Sequence, residues 1–270
     1  MICDAHVHVG YYTRFERDEP FYWSPRKVAG VLARCGVREF IVSSTNAQVS
    51  GISRADILRE AREMRLRADA RVHQFYWLSG RLYDEDPRLS FLDTGLFEGL
   101  KFHELETPWM QWRKDDLLRV LAIAEERRLP VMFHCAPLPD CSAADLATLA
   151  ERFPAVRFDF AHFNPADETA AVMERCPNVF ADVATFTACE YETLPELSPD
   201  VRSRILFGTD FPAMHARTDG GLSDWYRSRI RAFARQFDVD CAARAFRRFL
   251  FGNEPGPAAS RRTHSETPAP

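Results

Sequence analysis

The sequence lacks the cysteine patterns of small disulfide-bonded or zinc-ribbon proteins. Its 270 residues include seven cysteines, an odd number, and none of them forms a CxxC pair. Cysteines scattered in this way predict neither a disulfide framework nor a structural zinc ribbon. We expect most of them to be small buried apolar residues in a reducing compartment.

Several other signals are also missing. The sequence contains no GxGxxG or P-loop pattern, so it gives no indication of a nucleotide cofactor. It has no apolar run long enough to span a bilayer and no basic leader before an apolar stretch, which predicts a cytoplasmic protein. The formal net charge of -4 and pI of about 6.1 give no electrostatic reason to expect a nucleic-acid or membrane partner.

The sequence does contain a regular alternation of short apolar runs and longer amphipathic runs. Ser24 and Pro25 have the residue types of an N-cap and first helical position, and Gly36 suits the end of that helix. A charged helix is expected over 53–70, and a short, proline-interrupted helix over 86–96. Strands alternating with helices indicate parallel βαβ units, although an open doubly wound sheet fits this count almost as well. The predicted strands are 2–9, 39–44, 72–78, 97–103, 130–135, 156–162, 178–183 and 205–210.

Ionisable residues stand at the carboxyl ends of these predicted strands. In a parallel barrel, catalytic groups come from these ends. Five of the eight histidines and one aspartate occupy them, which favours a (β/α)₈ TIM barrel over residues 1–253, as a single domain. Residues 254–270 have no apolar anchor and are expected to form a disordered tail. The strand-end residues are His6, His8, Lys101, His103, His134, His162 and Asp210.

The spacing of His6 and His8 has a physical reason. Residues two apart on a strand project to the same face, so both imidazoles can reach one ion. The same alternation predicts that Cys3, Ala5 and Val7 pack outward, under the helices.

The same alternation predicts that Asp4 also faces inward, where it either contacts the metal ligands or forms part of the buried wall. His134 can supply a third nitrogen and Asp210 a carboxylate oxygen. Three nitrogens and one oxygen suit Zn²⁺, with Mn²⁺, Fe²⁺ or Co²⁺ as alternatives.

Six short segments of the sequence resemble the motifs of a known superfamily. In their order and placement, the chain resembles the amidohydrolase superfamily, and within it the amidohydrolase 2 branch of small hydrolases, lactonases and aminocarboxymuconate-semialdehyde-type decarboxylases. The resemblance covers residues 1–253 and does not specify a substrate. The segments are DAHVH (4–8), GLKFH (99–103), VMFHC (131–135), FAHFN (160–164), ILFGTDFP (205–212) and FGN (251–253).

The resemblance implies roles for individual residues. His6, His8, His134 and Asp210 would bind one divalent ion. Asp210 would also accept a proton from activated water, and His162 would act as acid/base or polarise the substrate carbonyl. The implied activity is metal-dependent hydrolysis of a small amide, lactone or ester.

Three alternative roles fit Lys101. It could bridge two metals as a carboxylated lysine, bind a substrate carboxylate as an ammonium, or lie in solvent. Substrate or solvent contact is favoured, because the surrounding segments resemble the mononuclear branch. His103 shares the parity of Lys101 and either faces the pocket or makes a structural hydrogen bond.

The loops that follow the strands are rich in aromatic residues. The segment 10–23 is long and aromatic, the third loop offers Arg81 and Tyr83, and the fourth offers Trp109 and Trp112. These residues are expected to form an aromatic wall and anion clamp for a small substrate, an interface of a homo-oligomer, or core beneath the loops.

Other functions fit the same residues. A non-oxidative decarboxylase could use the same ligands, with His162 handling the proton. A TatD-like nuclease would need an acidic residue near the fourth strand, where GLKFH stands, and the negative net charge opposes DNA binding. A catalytically inactive metal-binding protein is opposed by the full ligand set.

Overall fold

The computed structural model describes residues 1–12, 21–194, 196–213 and 221–252. Within these ranges the chain forms nine strands and eleven helices. The strands are β1 Ile2–Tyr12, β2 Phe21–Trp23, β3 Val37–Ser44, β4 Arg71–Trp77, β5 Gly99–Phe102, β6 Val131–His134, β7 Phe158–Ala161, β8 Val179–Asp182 and β9 Ile205–Leu206. The helices are α1 Pro25–Arg34, α2 Arg54–Arg67, α3 Gly80–Glu85, α4 Trp109–Trp112, α5 Lys114–Glu126, α6 Ala143–Arg152, α7 Ala166–Arg175, α8 Ala188–Glu192, α9 Pro199–Arg202, α10 Leu222–Gln236 and α11 Val239–Phe251.

Eight of the strands form a closed parallel sheet. β1 pairs in parallel with β3, and from β3 to β9 each strand pairs in parallel with the next strand along the chain. The sheet then closes on itself, because Ala5 N donates to Phe207 O at 2.8 Å and His8 N donates to Phe211 O at 2.7 Å. The predicted (β/α)₈ barrel is therefore confirmed, and the open sheet is excluded.

Side-chain caps explain where the predicted helices begin. Ser24 Oγ accepts from the backbone nitrogen of Lys27, with Pro25 as the first helical residue. Ser53 forms a capping box with Asp56 at the start of α2. These bonds satisfy backbone N–H groups that have no partner within the helix, so the predicted starts of α1 and α2 are confirmed.

Two segments differ from the prediction. Over 86–96 the structure has only a 3₁₀ turn, Ser90–Thr94, and the helix lies earlier because Ser79 caps α3. Asp86 accepts from Arg54, Ser90 and the Phe91 nitrogen, which stabilises a turn in place of a helix. The sequence also did not reveal β2, which pairs antiparallel with the end of β1.

The described core consists of two groups of side chains. The larger group lies between the barrel and its surrounding helices and includes Val7, Phe40 and Phe133. The smaller group takes side chains from seven of the eight parallel strands and from α11, so it fills the barrel interior beneath the cavity. Its strand members are Cys3, Ala5, Ile41, Phe75, Met132, Ala161, Phe180 and Leu206.

Two of these interior residues correct the predicted alternation along β1. Cys3 and Ala5 pack in the interior group and not outward, whereas Val7 faces the helices as expected. The cause is a β-bulge, because the three-residue step from Asp4 to Val7 in β1 matches a two-residue step in β3. A bulge changes the parity of the strand, so residues on either side of it follow different patterns.

Gly99 shows how tightly the interior is packed. A Cβ atom at this position would lie 2.6 Å from the ring of Phe75, on the neighbouring strand. Only glycine leaves room for that ring beneath the cavity.

Of the six cysteines whose side chains the structure describes, five are buried, as predicted for most of them, and all six are free thiols. None of the helices in the described part of the chain combines the length and apolar character that a membrane crossing needs. The predicted tail, 254–270, and Asn253 of the last family segment lie outside the described residues.

Candidate metal centre

A cavity of about 300 Å³ opens where the parallel strands end. Seven of the eight residues that the sequence assigned to the site border it. The eighth, Arg81, is not among the described lining residues, and its guanidinium lies 2.8 Å from Glu85 on the same helix. The seven are His6, His8, Lys101, His103, His134, His162 and Asp210.

Three of the four predicted metal ligands converge on one point. The Nε2 atoms of His6 and His8 are 3.1 Å apart. Asp210 Oδ1 lies 3.0 Å from His8 Nε2 and 3.7 Å from His6 Nε2. The two histidines share one face of β1, as their spacing predicted, and both are buried, so these three atoms face each other in a site with little access to solvent.

Hydrogen bonds behind the two histidines fix which ring nitrogens face the site. His6 Nδ1 lies 2.9 Å from Asp182 Oδ2, and a carboxylate oxygen accepts the proton of that nitrogen. His8 Nδ1 lies 2.9 Å from Ser43 Oγ and 3.4 Å from the Ser43 carbonyl oxygen, and both oxygens can accept. This arrangement leaves each Nε2 with a free lone pair, as a metal ligand requires.

The electrostatics of this cluster fit a divalent cation. Two lone pairs and a carboxylate oxygen repel each other at these distances unless positive charge lies among them. Burial and nearby Lys101 lower the pKa of His6 to about 4, so its ring is neutral at pH 7. Burial would raise the pKa of Asp210, but the hydrogen bond with His8 and the charges of the nearby histidines hold it below its ordinary value. Neutral imidazoles and an ionised carboxylate are the protonation states that Zn²⁺ binds.

His134 and His162 form a second pair beside this cluster. His162 Nε2 lies 2.9 Å from His134 Nδ1, and the His134 ring stacks on His103 at 3.9 Å between centroids. Burial lowers the pKa of both His134 and His162. Among the described residues, His134 is not in either group whose ligand atoms all lie within 4.8 Å of one another. Those groups are His6, His8 and Asp210, and His6, His162 and Asp182.

Unusual backbone conformations concentrate at this end of the barrel. Of the seven described non-glycine residues with positive φ, four follow strands around the cavity: His162 at 79°, Phe163 at 45°, Thr185 at 71° and Asp210 at 54°. Such conformations cost of order 1–3 kcal/mol each and tend to occur at functional sites. The fold therefore holds His162 and Asp210 in strained positions above the strand ends.

A match to a family model shows the family of the chain. The family model described as amidohydrolase, of the amidohydrolase 2 group, matches residues 3–253. The chain belongs to the amidohydrolase 2 family. Membership of this family supports a metal-dependent hydrolase or decarboxylase in general. The strand-end residues described above lie where barrel enzymes carry their catalytic groups.

Solved structures agree on the fold of this amidohydrolase. An amidohydrolase from Burkholderia multivorans with bound zinc is 12% identical, with a TM-score of 0.59 over 91% of this chain and 99% of that one. A dihydroorotase from Saccharomyces cerevisiae with 5-fluoroorotic acid is 13% identical, with a TM-score of 0.59 over 93% and 82%. A probable 2-pyrone-4,6-dicarboxylic acid hydrolase from Acinetobacter baumannii with citric acid is 12% identical, with a TM-score of 0.52 over 93% and 92%. A search of curated proteins gave no match.

Lys101 of this amidohydrolase does not lie in solvent. It is 1% exposed, and its Nζ lies 3.2 Å from His6 Nε2, at the edge of the ligand cluster. Burial lowers the pKa of this amine, while the carboxylates of Asp182, Asp210 and Asp159 oppose the decrease. The solvent reading of Lys101 is therefore wrong, and the substrate and bridging readings stay open.

The aromatic loop residues have mixed positions. Tyr11 borders the cavity, whereas Trp109 is fully buried against Phe102 and Tyr83. Trp112 is 75% exposed. Residues 13–20 of the aromatic loop lie outside the described residues.

Two residues that contact the predicted site histidines were not predicted from the sequence. Asp182 at the end of β8 binds His6 Nδ1 and accepts from the backbone nitrogens of His162 and Ala184. Trp77 at the end of β4 stacks on His103 and lies 5.3 Å from the His8 ring. Both are strand-end residues, so the rule that selected the histidines could have found them.

Proposed function

We propose that this amidohydrolase hydrolyses a small carbonyl substrate, an amide, lactone or ester, with one divalent metal held by His6, His8, His134 and Asp210. The convergence of two histidine lone pairs and one carboxylate oxygen at the strand ends carries the proposal. Zn²⁺ is the favoured ion because the ligands are imidazole nitrogens and a carboxylate. The zinc in the similar Burkholderia multivorans structure is consistent with that choice.

The contacts of His134 support its place as the fourth ligand. The lone pair of His162 Nε2 can accept the proton of His134 Nδ1, because His162 Nδ1 faces the carbonyl oxygen of Ala184 at 3.4 Å. This tautomer of His134 leaves its Nε2 without a proton, as ligation requires. The proposal therefore uses the hydrogen bond between the two rings to direct the remaining lone pair of His134.

The bound ion would supply Lewis-acid activation of water and of the substrate carbonyl. In the proposed reaction, Asp210 accepts a proton from the attacking water, because its lowered pKa keeps the carboxylate ionised at neutral pH. His162 then takes this proton from Asp210 and passes it to the leaving group, or polarises the carbonyl while it is protonated. Its lowered pKa keeps the ring neutral before the reaction.

The substrate is proposed to lie against Lys101 and His103. The Lys101 amine can hold a carboxylate or carbonyl oxygen of the substrate, since it projects into the cavity beside His6. The ring of His103 is stacked between Trp77 and His134, and this stack forms a flat wall that suits a small planar group. A second metal bridged by Lys101 is not favoured, and Arg81 is left without a proposed contact to the substrate.

A decarboxylase is the second candidate, and Lys101 is the observation that favours it. A buried amine beside the ligand cluster can hold a substrate carboxylate close to the ion, where its loss as CO₂ would be followed by protonation from His162. The two candidates use the same ligands and differ in the bond that breaks.

Metal removal and a substrate panel test the proposal together. The purified protein is analysed for metal content, stripped with a chelator and reloaded with Zn²⁺, Mn²⁺, Fe²⁺ or Co²⁺. Lactones and esters are followed by proton release, amides by the amine or ammonia they release, and small carboxylic acids by CO₂ release. We expect hydrolysis that disappears in the stripped protein and returns on reloading with Zn²⁺.

CO₂ release without hydrolysis would favour the decarboxylase. Turnover that survives complete removal of the metal would contradict both candidates. Failure of the stripped protein to bind any of the four ions would contradict the metal site itself.

A further inference from the structure

Asp4 is a fully buried carboxylate that accepts four hydrogen bonds two residues before the first metal ligand. Its Oδ1 accepts from the backbone nitrogens of His6 at 2.9 Å and Thr209 at 3.2 Å. Its Oδ2 accepts from the hydroxyl of Thr209 at 2.6 Å and from the hydroxyl of Tyr226 on α10. One side chain therefore joins β1, the segment after β9 and an outer helix.

The position of these bonds matters because the backbone is irregular there, both in β1 and in the segment after β9. The β-bulge between Asp4 and Val7 interrupts the regular register of β1 where His6 lies. Thr209 immediately precedes Asp210, whose φ of 54° departs from extended backbone. Backbone pairing alone does not fix irregular segments of this kind, so a side chain that binds both can set their separation.

The hydrogen bonds of the Asp4 carboxylate are all made to protein groups, and none is left for a metal ion. It is 0% exposed and all four of its donors belong to the protein, so its lone pairs are fully used. A buried carboxylate with several good donors is strongly held, and removal of the acceptor leaves those donors unpaired. The three donors on the two strands would then be free to move apart.

We propose that Asp4 is a positioning residue that sets the distance between His6 and Asp210 and thereby increases the metal affinity of the site. The inference rests on the proposed metal site. Asp4 binds the nitrogen of His6 directly and reaches Asp210 through its neighbour Thr209. Groups that orient metal ligands typically contribute 10–100-fold to metal affinity.

The test measures Zn²⁺ affinity by competition with a chromophoric chelator, and the melting temperature of the metal-free protein, in Asp4→Ala and Asp4→Asn. We expect Asp4→Ala to bind Zn²⁺ about 10–100-fold more weakly. Asp4→Asn should bind within about threefold of the wild type, because its oxygen still accepts from two amides and the hydroxyls of Thr209 and Tyr226 can accept from its NH₂ group.

Glu39→Ala is the matched control. Glu39 is also a buried carboxylate, 3% exposed, but it lies on β3 beside His73, away from the cavity. We expect this variant to lower the melting temperature without a change in Zn²⁺ affinity. A loss of Zn²⁺ affinity in Asp4→Ala that Glu39→Ala does not share supports the positioning role.

An Asp4→Ala protein that melts earlier but binds Zn²⁺ like the wild type would overturn the inference. If Asp4→Ala does not fold, Tyr226→Phe decides, because it removes one donor and is expected to weaken Zn²⁺ binding about threefold. Unchanged binding in Tyr226→Phe would then count against the role. A wild type that binds no Zn²⁺ would instead contradict the proposed function.

Discussion

The barrel interior contains two layers that lie two residues apart along the strands and differ in polarity. Residues of the upper layer border the cavity or bind the ligands, and the corresponding residues two positions earlier form an apolar layer below. Ser43 lies above Ile41, Trp77 above Phe75, Lys101 above Gly99, His134 above Met132 and Asp182 above Phe180.

The difference teaches how one fold combines stability with chemistry. The lower layer packs against α11 and excludes water, so it contributes apolar burial. The upper layer contains neighbouring polar groups whose pKa values are shifted by burial and by each other. Residues two positions apart on the same strand therefore contribute to different properties. Substitutions in the lower layer should reduce stability, and substitutions in the upper layer should reduce metal binding or activity.

The largest effect is expected for the ligands of the upper layer. His8→Ala and Asp210→Asn should each reduce kcat/KM by at least about 1,000-fold, about 4 kcal/mol, because each removes a predicted metal ligand. The circular dichroism spectrum should stay that of a folded barrel. His73→Gln is the control, since this buried histidine lies away from the cavity and should keep its activity. Near-normal rates in either ligand variant would contradict the proposed mechanism.

Substitutions two residues apart on β6 separate the layers directly. Met132→Ala should lower the free energy of unfolding by about 2–5 kcal/mol through the cavity it leaves, without a change in Zn²⁺ affinity per folded molecule. His134→Ala should weaken Zn²⁺ binding and change the stability of the metal-free protein little. Denaturant unfolding and chelator competition measure the two quantities. Loss of both quantities in both variants would refute the division into layers.

A smaller effect is expected at Asp182, which contacts the ring of the proposed ligand His6. Asp182→Asn should weaken Zn²⁺ binding about 10–100-fold, because its NH₂ group would face His6 Nδ1 and favour the tautomer with a proton on Nε2. Asp159→Asn is the matched control. Burial and the charge of Asp182 raise the pKa of Asp159 well above its ordinary value, so an amide resembles its neutral form. Equal Zn²⁺ affinity in the two variants would argue against a role for Asp182.

The smallest effect concerns pH and lies away from the cavity. His73 contacts Glu39 and Glu98, and Arg71 and Arg247 also contact Glu39. Burial alone would lower the pKa of His73, but these carboxylates raise it above 6.5. Burial would raise the pKa of Glu39, but the contact with His73 lowers it below 4.5.

A raised histidine pKa gives stability that is present below about pH 6.5 and is lost as the pH rises through the folded-state pKa. A lowered glutamate pKa gives stability that is present above about pH 4.5 and is lost on acidification. The stability difference between wild type and His73→Gln should therefore be largest between about pH 4.5 and 6.5, as urea unfolding can measure. A difference that grows above pH 6.5 would contradict this assignment.

The sequence predicted the parts of this molecule that depend on local pattern. Apolar runs gave the eight parallel strands, and Ser24 and Ser53 marked helix starts because their hydroxyls bind nearby backbone groups. The residue spacing also placed His6 and His8 on one face, and their Nε2 atoms lie 3.1 Å apart. These features involve neighbours within a few residues, so a single sequence is sufficient to reveal them.

Features that depend on distant partners were not predictable in the same way. The bulge in β1 appears only in the register against β3, and it reversed the expected orientation of Cys3 and Ala5. The burial of Lys101 depends on closure of the barrel around it, and the short strand β2 depends on pairing with the end of β1. The role of Asp182 depends on a contact with His6, 176 residues away.

The closing of the sheet also determines when the centre can form during synthesis. The hydrogen bonds from Ala5 and His8 to the segment around Phe207 and Phe211 join the beginning of the chain to a region near its end. His6 leaves the ribosome 204 residues before Asp210, an interval of roughly 10–40 s at about 5–20 residues per second. During this interval the first two histidines exist without their carboxylate partner, so the proposed cluster would acquire its metal only after translation of almost the whole barrel.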